Sequence, residues 1–148
     1  MGLFSFIKDA GTKLFGGGES AEEQSSKATE EIKRFQLSES VSAIVEGEQI
    51  TLTGECPNLL AKQKVLTIAG NIAGISKVVD NMTVAEPAAE LSESNFYDVK
   101  PGDNLSKISK EVYGDPNKYN TIFEANKPML SHPDKIYPGQ KLVIPALG

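Results

Sequence analysis

The stretch Glu86-Pro-Ala-Ala-Glu-Leu-Ser-Glu-Ser-Asn95 most constrains how this chain can fold. It is polar, carries proline and serine, and has no sustained hydrophobic period, so it reads as a linker. It divides 148 residues into two short runs, each of which must bury a small core of its own. The expected division is 1–86, a linker over 87–95, and 96–148. Charge follows it. Residues 1–90 hold 8 Lys/Arg against 13 Asp/Glu, whereas residues 91–148 hold 7 of each. No basic stripe is present to release counterions from a phosphate backbone, so nucleic acid is not an expected partner. The acidic first run is compatible with attracting small cations.

In the first run, Leu3, Phe4, Ile7, Ala10, Gly11, Leu14 and Phe15 recur near a 3.6 period, which predicts a short amphipathic helix over 2–15. A helix this short is marginal alone, so it is expected to dock, on the protein's own body rather than on a membrane surface. Gly16-Gly17-Gly18 stops it, and Ser20 with Glu23 forms a capping box for the next helix, whose inner stripe is Ala21, Ala28, Ile32 and Phe35. Alternation over 41–55 about Glu46-Gly47-Glu48 predicts a hairpin. Asn58 caps a helix over 59–70, with Ala61, Val65, Ile68, Ala69 and Ile72 on one side, and a strand Lys77–Val84 follows.

The second run opens on a strand at Phe96–Lys100. Leu105, Ile108 and Val112 mark a first helix, and Asp115-Pro116 is an N-cap followed by an N1 proline. Tyr119, Ile122, Phe123 and Asn126 line a second helix, and Lys141–Pro145 is the closing strand. Two similar turns, Lys100-Pro-Gly-Asp103 and Tyr137-Pro-Gly-Gln140, suit type II geometry and flank one groove if the two strands pair. The whole is α+β.

Chemistry is sparse. The segment Ile68-Ala-Gly-Asn-Ile-Ala-Gly-Ile75 ends an amphipathic helix and offers no chemical side chain. A helix end leaves carbonyls without partners at the negative pole of its dipole, and these find water, a glycine-type cap or a hard cation. The single cysteine, Cys56, reads as a small half-buried residue, far along the chain from His132, the only base that could activate it. No metal-ligand spacing, GxSxG, P-loop or calcium loop occurs, so no catalytic residue and no enzyme activity is expected. Lys8 and Asp9 interrupt the first apolar stretch, position 6 is Phe where myristoylation wants Ser or Thr, and nothing approaches the about 20 apolar residues of a spanning helix. A cytoplasmic monomer is the expectation.

Tyr97-Asp-Val-Lys-Pro-Gly-Asp-Asn-Leu-Ser-Lys-Ile-Ser109, Tyr113-Gly114, Asn126-Lys-Pro128 and Ile136-Tyr-Pro-Gly-Gln-Lys-Leu-Val-Ile-Pro145 together resemble a LysM domain, β-α-α-β. Residues 20–86 resemble a BON domain, an α-β-β-α-β sandwich, chiefly through Val41–Gly54 and Gly74–Val84. With the N-terminal segment before them, the chain is similar to the BON–LysM potassium-binding proteins of Gram-negative bacteria. The LysM resemblance implies contacts to GlcNAc-containing glycans at Gly102, Asp103, Asn104, Leu105, Ile136, Tyr137 and Pro138, although many LysM sequences have threonine where Asn104 stands. It equally allows a protein partner on that face. The potassium-protein resemblance implies K+ as the ligand and a cage of main-chain carbonyls at Ile7, Ala10, Gly70, Ile72 and Ile75. It also implies a sensor or buffer role with closure of the domains on the ion.

Overall fold

The structure is a computed structural model that describes residues 2–86, 91 and 95–145. Strand β1 (Gly2–Ser5) is followed by α1 (Ala21–Arg34), β2 (Ser42–Glu46), β3 (Gln49–Cys56), α2 (Leu59–Gly70) and β4 (Lys77–Val84). Beyond these lie β5 (Phe96–Asp98), α3 (Leu105–Tyr113), a 3-10 turn at Pro116–Lys118, α4 (Tyr119–Ala125) and β6 (Lys141–Val143). The class is α+β. Among the described residues no helix is long and apolar enough to cross a membrane. Residues 87–90 and 92–94 of the expected linker lie outside the described residues; Leu91 packs against the larger core.

The first sheet runs β1-β4-β3-β2, with β3 and β4 parallel and both outer pairs antiparallel. Each local signal is visible in its start. The Ser20–Glu23 capping box opens α1, and Asn58 accepts from Ala61 N at the start of α2. The outward N–H groups of β2 are taken by α1: Val45 N donates to Ser25 Oγ at 2.8 Å and Ala43 N to Thr29 Oγ1 at 2.9 Å. A bare strand edge templates foreign pairing, and two hydroxyls one helical turn apart remove that hazard here.

The expected N-terminal helix is a correction. Residues 2–5 form β1, antiparallel to β4 with Leu3 opposite Val79. Burial shows why period two wins over 3.6. Phe4 and Phe6 are 2% and 7% exposed, while Leu3 and Ile7 are 59% and 49% exposed. Pairing satisfies the backbone of β4 along its free edge, which a helix packed there would leave bare. Gly11, at φ +119°, lies where a continuing helix cannot pass. The expectation that this segment docks on the body of the protein holds.

Helix α2 is buried nearly all round, including Leu66 and Thr67 on the face the sequence left open. The reason is the second unit, whose β6 packs against α2. Phe96, Ala125 and Val143 consequently belong to the same core cluster as Ile68 and Ile72, whereas Val99, Leu105, Ile108, Ile122, Leu130 and Leu142 form a second. Among the described residues strand β6 pairs with β5 on one side only. On its other side two asparagine amides act as a substitute strand. Asn126 Nδ2 donates to Val143 O at 2.9 Å and its Oδ1 accepts from Val143 N at 2.7 Å. Asn71 Nδ2 donates to Lys141 O at 2.8 Å and its Oδ1 accepts from Lys141 N at 2.9 Å.

Truncating Asn126 to alanine leaves two buried backbone groups of β6 unpaired, at about 1–3 kcal/mol each. Urea denaturation of Asn126→Ala is expected to show a loss of about 2–6 kcal/mol; a midpoint unchanged from wild type would refute the pairing role.

Candidate functional site

Helix α2 ends at Gly70, and Asn71 N still bonds back to Thr67 O at 2.9 Å. The chain then turns within six residues into β4, helped by Gly74 at φ +101° and a local bond from Ile75 N to Ile72 O at 3.1 Å. Across this turn runs the segment that follows β1. Phe6 N donates to Ser76 O at 2.9 Å, Gly74 N to Lys8 O at 2.7 Å, Thr12 N to Asn71 O at 2.8 Å and Ala73 N to Thr12 O at 2.9 Å. Two sequence-distant loops are thus laced together by main-chain bonds. The bonds fall on residues 6, 8 and 12 of one segment and on 71, 73, 74 and 76 of the other, so Ile7 and Ala10 belong to the stretch that crosses the turn.

The five carbonyls differ in their commitments. Ile7 O accepts from Ala10 N at 3.3 Å and Ile72 O from Ile75 N, so each keeps a lone pair. The carbonyls of Ala10, Gly70 and Ile75 carry none of the bonds that join the two segments among the described residues. Ile72 and Ile75 are buried, Ala10 partly so, and Ile7 is exposed. Glycine at position 70 has a steric reason. A Cβ on Gly70 would stand 2.1 Å from the Phe6 ring, so the residue is glycine because the ring lies on its Cα. Gly11 is equally tight, its Cβ position 2.4 Å from Asn71 O.

Sequence reasoning passed over Asn71, having found no chemical side chain in this segment. Its main-chain oxygen holds Thr12 and its amide holds Lys141, so one residue ties the N-terminal segment, the end of α2 and strand β6. An asparagine between two glycines at a helix end reads first as a cap, which hid the role. Lys141 was also missed. Its side chain is 2% exposed, with Nζ 3.2 Å from Asp98 Oδ1 and within 5.2 Å of the Phe6 ring centre. Cys56 is buried and its thiol is pushed up to about 11 by burial, which suits packing rather than nucleophilic attack.

The residues implied for glycan contact are spread between roles within the fold. Asn104 caps α3 through Lys107 N, and Leu105 is 2% exposed in the second core. Asp103 accepts from Lys100 N at 2.9 Å and from the Tyr97 hydroxyl at 2.8 Å. Gly102 and Pro138 are exposed and Ile136 is half-buried. Tyr137, whose phenol burial pushes up to about 12, lines a cavity shared with Thr12 and Ile72. The adjacent Gly139 abuts the N-terminal segment, its Cβ position 2.6 Å from Ala10 Cβ and 3.3 Å from Ile7 Cγ2. The second turn therefore faces the first unit, not open solvent alone.

Replacing Asn71 with alanine frees both backbone groups of Lys141 in a buried setting, at about 2–4 kcal/mol in total. The Lys141 amide is expected to lose its protection against hydrogen exchange in Asn71→Ala, while the amides of β2 and β3 keep theirs relative to the new global stability. Unchanged protection at Lys141 would show that the amide pairing does not hold in solution.

The BON domain family matches residues 24–86 and the LysM domain family residues 97–145. Potassium binding protein Kbp of Escherichia coli O6:H1 is 47% identical over 150 aligned residues, spanning 98% of this chain and 99% of that protein. An uncharacterized protein of Deinococcus radiodurans is 34% identical over 113 residues, 71% of this chain and 44% of its own length. At that identity and nearly full coverage on both sides, this chain belongs to the BON–LysM family that includes the potassium binding protein Kbp.

Proposed function

We propose that this chain binds potassium as a cytoplasmic sensor or buffer, and that the ion is held by the main-chain carbonyls of Ile7, Ala10, Gly70, Ile72 and Ile75. In this reading residues 1–86 form the ion-binding domain, 87–95 a linker and 96–148 the LysM domain that docks on it. The observation that carries the reading is the lacing of residues 6–12 over 71–76, whose bonds use the carbonyls of Lys8, Thr12, Asn71 and Ser76 and none of the five proposed ligands. The 47% identity to a potassium binding protein over almost the full chain supports it.

The donor set suits the ion. Several neutral carbonyls replace the hydration shell of a large monovalent cation without the tight charge pairing that a small or divalent ion demands. Among the described residues no three His, Cys, Asp or Glu side chains gather around a common point. Buried Ile72 and Ile75 keep bulk water from competing for the same oxygens. When bound, the ion would supply a positive charge at the C-terminal pole of α2, where the helix dipole favours it. It would also bridge the two loops, adding to the hydrogen bonds and the Phe6–Gly70 packing that join them.

The LysM face serves here as a docking partner. Asn104 and Leu105 are committed to a cap and a core, and the turn at Gly139 rests on Ile7 and Ala10. Docking at Gly139 places the second domain beside the proposed ligands, so ion binding and domain closure reinforce each other.

A ligand that binds the native state alone stabilises it by RT ln(1 + [L]/Kd). At 100 times Kd that is about 2.7 kcal/mol, or about 5–10 °C in Tm for a chain of this size. Potassium chloride is expected to raise Tm by that amount over sodium chloride at equal ionic strength; identical curves in the two salts would overturn the reading. In a titration series, Gly70→Ala, whose Cβ meets the Phe6 ring, is expected to weaken potassium binding at least tenfold. Glu22→Gln and Glu23→Gln are expected to change it less than twofold, because both lie on the exposed first turn of α1. The opposite ranking would place affinity in surface charge.

A further inference from the structure

The end of α1, the end of α2, Thr12 and the loop that leads into β6 enclose a cavity of about 250 Å³. A water takes up about 30 Å³ of liquid, so there is room for a molecule of about eight non-hydrogen atoms. The wall has two kinds of surface. Phe35, Ile68, Ile72 and Met129 form an apolar floor continuous with the larger core. Donors form the rest, and most are unspent. Arg34 gives Nε and Nη2 to Glu31 at 3.0 and 3.2 Å, which leaves Nη1 over. Among the described residues the Lys135 ammonium and the hydroxyls of Tyr137, Ser131 and Thr12 have no hydrogen-bond or ion-pair partner. Two cations against the one carboxylate of Glu31 leave the cavity with a net positive charge.

Gln140 completes the pattern. Its side chain lines the cavity, the residue is 4% exposed, and its Oε1 has no hydrogen-bond partner among the described residues. A buried amide oxygen without a donor is unfavourable, and it calls for an N–H or O–H from whatever fills the space. Water could supply that donor, but it would neither use the apolar floor nor match the Lys135 charge. The occupant that satisfies all three surfaces carries a negative group, a hydroxyl and a short apolar body. Lys135 and Ser131 stand exposed, which gives such a molecule a way in.

We infer that this cavity is a binding site for a small hydroxycarboxylate. The carboxylate pairs with Lys135 and the remaining N–H of Arg34, the hydroxyl donates to Gln140 Oε1, and the carbon skeleton covers Ile68 and Ile72. A free cation is opposed by the two basic side chains. Inorganic phosphate has no apolar part for the floor and more charge than one unmatched cation offers. The site goes beyond the potassium reading and does not rest on it, since no carbonyl of the proposed cage takes part. Because its walls come from both units, an occupant would tie the LysM unit to the first.

The test is amide NMR of the full-length chain at fixed potassium chloride, titrated with lactate, 3-hydroxybutyrate and 4-hydroxybenzoate. Propionate, butyrate, benzoate and inorganic phosphate are the comparators. At least one hydroxy acid is expected to bind with a Kd of about 1 mM or tighter, shifting the amides of Thr12, Ile72 and Gln140 but not those of Gly102 to Leu105. Its partner without the hydroxyl is expected to bind at least fivefold more weakly. Lys135→Met, a change at an exposed position, is expected to weaken binding at least tenfold at unchanged Tm, and Lys135→Arg to stay within threefold of wild type. In Gln140→Leu the preference for the hydroxyl is expected to vanish, an effect that loss of packing alone does not produce. Three results overturn the inference: no hydroxy acid shifting these amides by about 10 mM, phosphate binding as tightly as the best of them, or wild-type affinity in Lys135→Met.

Discussion

Asn71 is the joint on which the architecture depends. Its carbonyl receives Thr12 from the N-terminal segment, and its carboxamide pairs both backbone groups of Lys141 in the second unit. Three stretches far apart in sequence meet on one side chain and one peptide unit. The amide copies the donor–acceptor pattern of a neighbouring strand, so β6 is satisfied on both edges without a third strand. Asn126 repeats the device two residues further along β6, from within its own unit. One edge strand is thereby held jointly by a local asparagine and a distant one.

Packing beneath this joint follows a short chain of contacts. Gly70 has no side chain, which admits the Phe6 ring; the ring lies under the Lys141 ammonium, which reaches Asp98. Phe96 stands edge-on to Phe4 at 5.3 Å and within 5.8 Å of the same ammonium. A buried cation held between aromatic faces and a carboxylate is stable only while all of them remain in place. The N-terminal segment is therefore no appendage. Displacing it would expose Phe4 and Phe6, bare the edge of β4 and strip the cover from Lys141 at once.

Much of this was legible locally. The Ser20–Glu23 capping box, the Asn58 cap, the Asp115-Pro116 start and the hairpin at Glu46-Gly47-Glu48 all stand where their residues place them, because each depends on neighbours within a few positions. Residues 2–5 misled for a physical reason. In a run as short as Gly2–Ile7, apolar residues satisfy periods of two and of 3.6 nearly equally, and the deciding term is the open edge of β4 some seventy residues away. Gly70 misled in the same manner. A glycine at a helix end reads as a turn former, and only the Phe6 ring resting on it reveals a steric role.

By itself the amino-acid order determined the class, the caps and the inner positions Ala28, Ile32, Leu105, Ile108 and Ile122, since periodicity and capping are carried by residues one or two turns apart, whereas Ala21 and Tyr119, expected on the same stripes, stand exposed at the helix starts. Tertiary structure alone decided that the first residues form a strand, that Asn71 joins three segments and that Gln140 is buried beside them. Those outcomes depend on which backbone groups remain unpaired after the local elements have formed, and no window of sequence contains both partners.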